Sequence, residues 1–327
     1  MLEPTLWIVL SLVVLSLGAE ALVRGSSAVA RRLGLSPFVI GLTVVGFGTS
    51  SPEMFASISA GLQGAGDIAV GNVVGSNIFN IAVILGFVAL IKPIPVPMAL
   101  LRGEALPFLL TASLPWLALL FPGALLPRWL GVLMLLGLVA YVVRAYRAGR
   151  AQAHEPATES RAEADLKGAT PEAVAHPLRS AAFILVGLGL LVLGADLLVD
   201  NAVIIAKLWG VSDLAIGLTI VAGGTSMPEL VTSLVAALRG RSDIAVGNVV
   251  GSNVFNILGV LGATSVITPQ RVAPQILRLD TPVMLLATVL LLSLSAWRGR
   301  ITRGEGLLLA AGWIGYTIVL MSAPSGT

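Results

Sequence analysis

Two acidic residues lie inside apolar sequence, each at the end of the same short run: Gly48-Thr49-Ser50-Ser51-Pro52-Glu53 and Gly224-Thr225-Ser226-Met227-Pro228-Glu229. A carboxylate at bilayer depth costs about 2.5 kcal/mol or more and is kept where it has a partner. No Lys, Arg or His lies on the matching core segments to neutralise either glutamate, so the pair calls for a bound cation or for protonation. The residues just before them fit the first. Proline removes a backbone donor and disturbs the turn before it, and glycine weakens helix persistence. A helix carrying this run is therefore expected to break there. Irregular backbone is tolerated at membrane depth only where it is buried in protein or lines a cavity, and carbonyls facing a cavity are cation ligands.

A second polar set follows each glutamate: Asn72, Ser76, Asn77 and Asn80, then Asn248, Ser252, Asn253 and Asn256. Ser76 and Asn80 are four apart and share a helix face, as do Ser252 and Asn256, so they can present oxygens toward Glu53 and Glu229. Asn72, Asn77, Asn248 and Asn253 read equally as ligands or as interhelical hydrogen-bond glue. Gly71, Gly75, Gly247 and Gly251 have the spacing of close helix packing. Asp67 and Asp243 read as helix N-caps. Glu20, Asp196 and Asp200 fit either an ion path or an interfacial position near Arg24 and water. The candidate ligands are all oxygens: the two carboxylates, the hydroxyls of Thr49, Ser50, Thr225 and Ser226, the amides of Asn80 and Asn256, and freed carbonyls. Such a cage suits calcium, which takes six to eight oxygens at about 2.3 to 2.6 Å, and sodium of similar size; magnesium demands near-octahedral geometry and dehydrates reluctantly. His154 and His176 fall in a polar connector, which excludes a midplane imidazole site for zinc or copper.

The elements that must position these groups are membrane helices. Of 327 residues 56% are hydrophobic and 11% charged, with mean hydropathy +0.95, whereas a soluble domain carries roughly 25% charged residues. Apolar runs near 5–24, 37–62, 68–91, 104–121, 126–146, 180–206, 213–238, 244–267, 280–296 and 304–322 suit the roughly 20 residues of a spanning helix and are too long for barrel strands. The expected fold class is all-α with ten transmembrane helices. The N-terminal run carries Glu3 and no Lys or Arg, so it reads as the first mature helix rather than a signal peptide. There is no cysteine, hence no disulfide or thiolate site. With the N-terminus outside, inward segments hold 16 of the 20 basic residues and outward ones 4, which places both termini outside.

The chain is also duplicated. Ile40–Gly86 and Ile216–Gly262 match at 30 of 47 positions without a gap, at a constant offset of 176 residues. The offset extends to Glu20 with Asp196 and to Arg102 and Glu104 with Arg278 and Asp280, and after one slipped residue Tyr141 pairs with Tyr316. Five spans per half is an odd number, so the second copy enters from the opposite side. Inverted repeats of this kind place a transporter's site near the midplane, on broken helices. The division expected is a first five-helix repeat at 1–147, a flexible cytoplasmic linker at 148–179 and a second, inverted repeat at 180–327, with helices 2 and 7 broken at the GTSxPE motifs.

The paired GTSxPE and GNVxGSNxFN segments closely resemble the two α-repeats of the cation/calcium antiporter superfamily, in particular its prokaryotic sodium/calcium exchangers. The resemblance implies an inverted five-plus-five fold, alternating access by sliding of the first and sixth helices, and calcium export driven by sodium entry. It implies cation ligands at Thr49, Ser50, Glu53, Ser76 and Asn80 and at Thr225, Ser226, Glu229, Ser252 and Asn256. It implies no cofactor beyond the transported calcium and sodium, a cell (inner) membrane location, a monomer sufficient for transport and no nucleic-acid partner. One departure stands out. Well-known exchangers of the superfamily carry aspartate where this chain has Asn256, so its core holds two carboxylates rather than three, enough to neutralise one calcium or two sodium ions.

The connector is polar, Ala-rich and proline-punctuated, and far too short for the calcium-sensing domains that large animal exchangers insert there. Competing readings are calcium or other divalent cation/proton antiport and, less well matched to an inverted repeat, a cation channel. An intramembrane enzyme using the two glutamates as acid and base lacks any nucleophile, histidine or substrate signature, so no catalytic residue is assigned.

Overall fold

In a computed structural model the described residues are 2–96, 98, 100–153, 177–209 and 222–322, and these form helices joined by short loops. In chain order they are α1 (Leu2–Leu33), α2 (Pro37–Thr49), α3 (Ser51–Leu62), α4 (Gly66–Ile91), α5 (Arg102–Leu120), α6 (Arg128–Ala153) and α7 (Pro177–Leu208). The second half continues with α8 (Ala222–Thr225), α9 (Met227–Leu238), α10 (Ser242–Ile267), α11 (Ile276–Arg298) and α12 (Arg303–Ser322). Seven of these are long and apolar enough to cross a membrane, eight when α2 and α3 count as one bent span. The chain is a predominantly helical multi-pass membrane protein. Part of the expected seventh span, 213–221, lies outside the described residues, as do His154, His176 and most of the connector. Helices α6 and α7 reach into both ends of that connector, to Ala153 and from Pro177.

The duplication recurs in the backbone. Helices α3 and α9 begin and end 176 residues apart, as do α4 and α10. Even the local distortions repeat. Each long core helix loosens into a π-helical stretch at Asn80–Leu85 and Asn256–Leu261, and a further pair lies at Leu100–Glu104 and Ile276–Asp280. Two short antiparallel ladders clip the halves together: β1 (Ile94–Pro95) pairs with β4 (Arg300–Ile301), and β2 (Leu125–Leu126) with β3 (Gln270–Arg271).

Helix α10 is the centre of the bundle, buried along its whole apolar window, and α4 is two-thirds buried. The outer helices expose large apolar side chains such as Phe55, Leu136 and Leu185, as lipid-facing surfaces do. Small residues let α2 touch α10 backbone to backbone. A Cβ on Gly41 would lie 2.6 Å from the Ile244 carbonyl oxygen, and one on Gly247 or Gly251 would overlap the carbonyls of Phe38 and Leu42. The residues related to Phe38, Gly41 and Leu42 by the repeat, Leu214, Gly217 and Leu218, lie outside the described residues, and no described atom lies within 4 Å of a Cβ on Gly71 or Gly75. Helices α1 and α7 also meet through glycine, with Gly18 against the Gly187 carbonyl and Gly194 against Leu15.

The two acids expected as N-caps are not caps. Ala65 and Arg241 occupy the N-cap positions without a side-chain capping bond, and Asp67 and Asp243 stand inside the first turn. A carboxylate in the first turn lies near the positive end of the helix dipole.

Away from the centre, buried Glu104 pairs with Arg144 at 2.5 Å, and Arg144 also donates to the Gly103 carbonyl. Removing Arg144 strands the buried Glu104 charge, at less than the roughly 3 to 5 kcal/mol of a fully buried pair because the Arg144 side chain is 40% exposed. Arg144→Leu should therefore lower the thermal midpoint in detergent, and adding Glu104→Gln should restore most of it. A second substitution that deepens the loss would show that the ion pair is not what holds these helices.

Candidate functional site

The two GTSxPE runs meet at the centre of the bundle. Ser50 and Ser226 leave the helical region, at φ −79°, ψ 8° and φ −90°, ψ 6°. The proline two residues later gives no N–H to the carbonyl four positions back, Gly48 or Gly224. Between α2 and α3 the axis turns by 43°. Each glutamate then falls in the first turn of the following short helix, where the helix dipole favours a negative charge. Both side chains are fully buried.

The hydroxyls cross between halves. Ser226 Oγ donates to Glu53 Oε1 at 2.9 Å, and Ser50 Oγ donates to Glu229 Oε1 at 3.1 Å, with Ser252 Oγ also on that oxygen at 3.5 Å. Each carboxylate is thus held by a serine from the opposite repeat. Thr49 is buried, with Oγ1 on the Val45 carbonyl at 3.1 Å, on Asn248 Oδ1 at 3.1 Å and beside Ser252 Oγ at 3.3 Å. Ser76 is buried one turn before Asn80, while Thr225 is half-buried at the end of α8.

The asparagines divide into two kinds. Asn72 Nδ2 donates to the Glu53 backbone carbonyl at 3.3 Å and to Ser57 Oγ at 2.9 Å; Asn248 Nδ2 repeats this with the Glu229 carbonyl at 3.4 Å and Ser233 Oγ at 3.0 Å. Asn77 and Asn253 bond each other's backbone, and their side-chain oxygens accept from Asn256 and Asn80. These four side chains are engaged with protein, which favours the glue reading over ligation for them. Ser57 and Ser233 were not singled out from sequence, although each lies four residues beyond its glutamate and 176 from the other.

Four oxygens are left. Glu53 Oε2, Glu229 Oε2, Asn80 Oδ1 and Asn256 Oδ1 are buried and accept no hydrogen bond. Orphan buried acceptors are costly, and here they come in two repeat-related pairs, one on the glutamates and one on the asparagines that open the π-helical stretches. Among the described residues no ion pair reaches either glutamate, and no group of three or more His, Cys, Asp or Glu is assembled. Glu20 instead pairs with Arg24 at 2.6 Å and Arg239 at 2.9 Å, at a half-buried position, and Asp196 and Asp200 are exposed on α7.

Comparison with known proteins bears on this arrangement. The family model described as sodium/calcium exchanger protein matches residues 3–147 and 179–322. The inner membrane protein YrbG of Escherichia coli K12 is 37% identical, over 98% of this chain and 97% of its own. The sodium/calcium exchanger MaX1 of Methanosarcina acetivorans is 33% identical, over 96% and 97%. A solved structure of the sodium-calcium exchanger NCX_Mj, soaked with sodium and calcium, superposes with a TM-score of 0.79 at 32% identity, over 99% of each chain. With the family model covering both halves and relatives matching end to end, the chain belongs to the sodium/calcium exchanger family.

Proposed function

We propose that this protein is a secondary antiporter exchanging calcium for sodium, by alternating access at one oxygen-lined site near the bilayer midplane. The observation that carries the reading is the set of four buried acceptor oxygens, two of them carboxylate, with no donor opposite them. A dehydrated cation held among them would serve several of these oxygens at once, whereas a proton serves one. The ligands are Thr49, Ser50, Glu53, Ser76 and Asn80 with Thr225, Ser226, Glu229, Ser252 and Asn256, hydroxyl and carbonyl oxygens completing the coordination. Ten helices form two inverted repeats, 1–147 and 180–327, joined by a cytoplasmic linker at 148–179, with both termini outside the inner membrane and helices 2 and 7 broken at Ser50 and Ser226. The glycine-lined α1 and α7 pair is the element that slides past the site.

Calcium uptake into proteoliposomes, with sodium and proton gradients imposed separately, tests this. Uphill calcium movement is expected with the sodium gradient alone. Movement driven only by protons would assign the protein to calcium/proton exchange, and downhill flux without a counter-ion would make it a channel. Two carboxylates neutralise one calcium or two sodium ions, so clamping the membrane potential with valinomycin should leave the sodium-driven flux unchanged; a flux that follows the clamp would reject electroneutral exchange.

A further inference from the structure

Where Asn77 meets Asn253, its equivalent 176 residues on, the hydrogen bonds form a closed set. Asn77 Nδ2 donates to the Asn253 backbone carbonyl at 3.0 Å, and Asn253 Nδ2 to the Asn77 carbonyl at 3.2 Å. A backbone carbonyl only accepts, so the nitrogen of each amide must face it. Neither amide can flip without setting oxygen against oxygen. Their Oδ1 atoms are thereby fixed as acceptors, and each is taken by the other repeat's asparagine: Asn80 Nδ2 donates to Asn253 Oδ1 at 3.0 Å, and Asn256 Nδ2 to Asn77 Oδ1 at 3.0 Å. The polarity of four amides thus follows from two carbonyls, and its end result is that Asn80 Oδ1 and Asn256 Oδ1 face away from the ring with no partner.

We propose that Asn77 and Asn253 are positioning residues that hold the Asn256 and Asn80 amides with oxygen toward the transported cation, crosswise between repeats. This deepens the exchanger reading and rests on it. The ring also requires a donor at positions 80 and 256. An ionised aspartate at 256 would set a carboxylate oxygen against Asn77 Oδ1, so the ring keeps both positions neutral and holds the carboxylates at the site to Glu53 and Glu229.

Crosswise pairing gives a test that general loosening of the core does not imitate. Asn77→Ala keeps the backbone carbonyl that locks Asn253, so it frees only the Asn256 amide. Binding of radiolabelled calcium to the purified full-length chain is measured for Asn77→Ala alone and in Asn256→Ala and Asn80→Ala backgrounds. Alone, it should weaken binding about tenfold to a hundredfold, as loss of a ligand's supporting contact does. With Asn256→Ala the further loss should shrink to less than about twofold, while with Asn80→Ala it stays whole. Equal losses in all three backgrounds, coupling to Asn80 instead, or no loss at all would overturn the assignment. Where Asn77→Ala does not fold, the mirrored cycle of Asn253→Ala with Asn80→Ala decides. Where neither folds, a calcium-bound structure of the unsubstituted chain decides: amide oxygens of Asn80 and Asn256 on the ion support the proposal, and their nitrogens turned inward overturn it. Glu53→Gln run alongside separates the failures. If that variant binds calcium normally the exchanger site itself falls, whereas calcium lost in Glu53→Gln but kept in Asn77→Ala removes only the positioning role.

Discussion

Glu53→Gln and Glu229→Gln should each abolish calcium transport while leaving the protein folded. Glutamine keeps the side-chain length and one oxygen, so the bonds from Ser226 to residue 53 and from Ser50 to residue 229 can persist. The new NH2 then occupies the place of Oε2, the oxygen that has no partner. A donor pointing into the cage repels a cation, and half the formal negative charge is gone. Removing one partner of a buried charge interaction costs about 3 kcal/mol or more, about a hundredfold at 1.4 kcal/mol per decade. The ion-free protein loses a buried charge that nothing compensates, so its melting temperature should stay level or rise. Calcium flux and thermal unfolding read on the same preparations separate the two effects. Normal flux from either variant would remove that glutamate from the mechanism.

Gly251→Ala is expected to be as damaging by a different route. The added methyl would overlap the Leu42 carbonyl, and neighbouring Gly247 is in the same position against Phe38. Overpacking a core costs about 1 to 3 kcal/mol when side chains can shift, but the obstacle here is main chain on both sides. Relief requires α2 to move off α10, carrying Thr49 and Ser50 away from Glu229. The variant should give little monodisperse protein on size exclusion and no sodium-driven flux. Gly312→Ala, at an exposed site on α12 with no described atom within 4 Å, should behave as the unsubstituted chain. Wild-type yield and flux from Gly251→Ala would show that α2 and α10 do not rely on backbone-to-backbone contact.

The sequence made the charged centre legible because a carboxylate in apolar surroundings is conspicuous, and the 176-residue offset made it legible twice. The same offset concealed the way the halves combine. Spacing relates Ser50 to Glu53 and Ser226 to Glu229 along one chain, yet each serine binds the other half's glutamate, a pairing only the packed bundle produces. Helical periodicity put Ser76 with Asn80 on one face, but a period of 3.6 cannot reveal the π-helical stretches that begin at Asn80 and Asn256, where the wider turn changes the direction of everything after it. Asn72, Asn77, Asn248 and Asn253 fitted two roles equally well until their partners were visible. Asp67 and Asp243 misled because an acid near a helix start resembles a cap, while the chain enters those helices one or two residues earlier.

Calcium binding to the purified chain under a sodium titration puts the mirrored carboxylates to their plainest trial. The account predicts one calcium per chain, displaced competitively by sodium, and none in the double variant Glu53→Gln/Glu229→Gln. Calcium held with undiminished affinity by that double variant, or held indifferently to sodium, would contradict it.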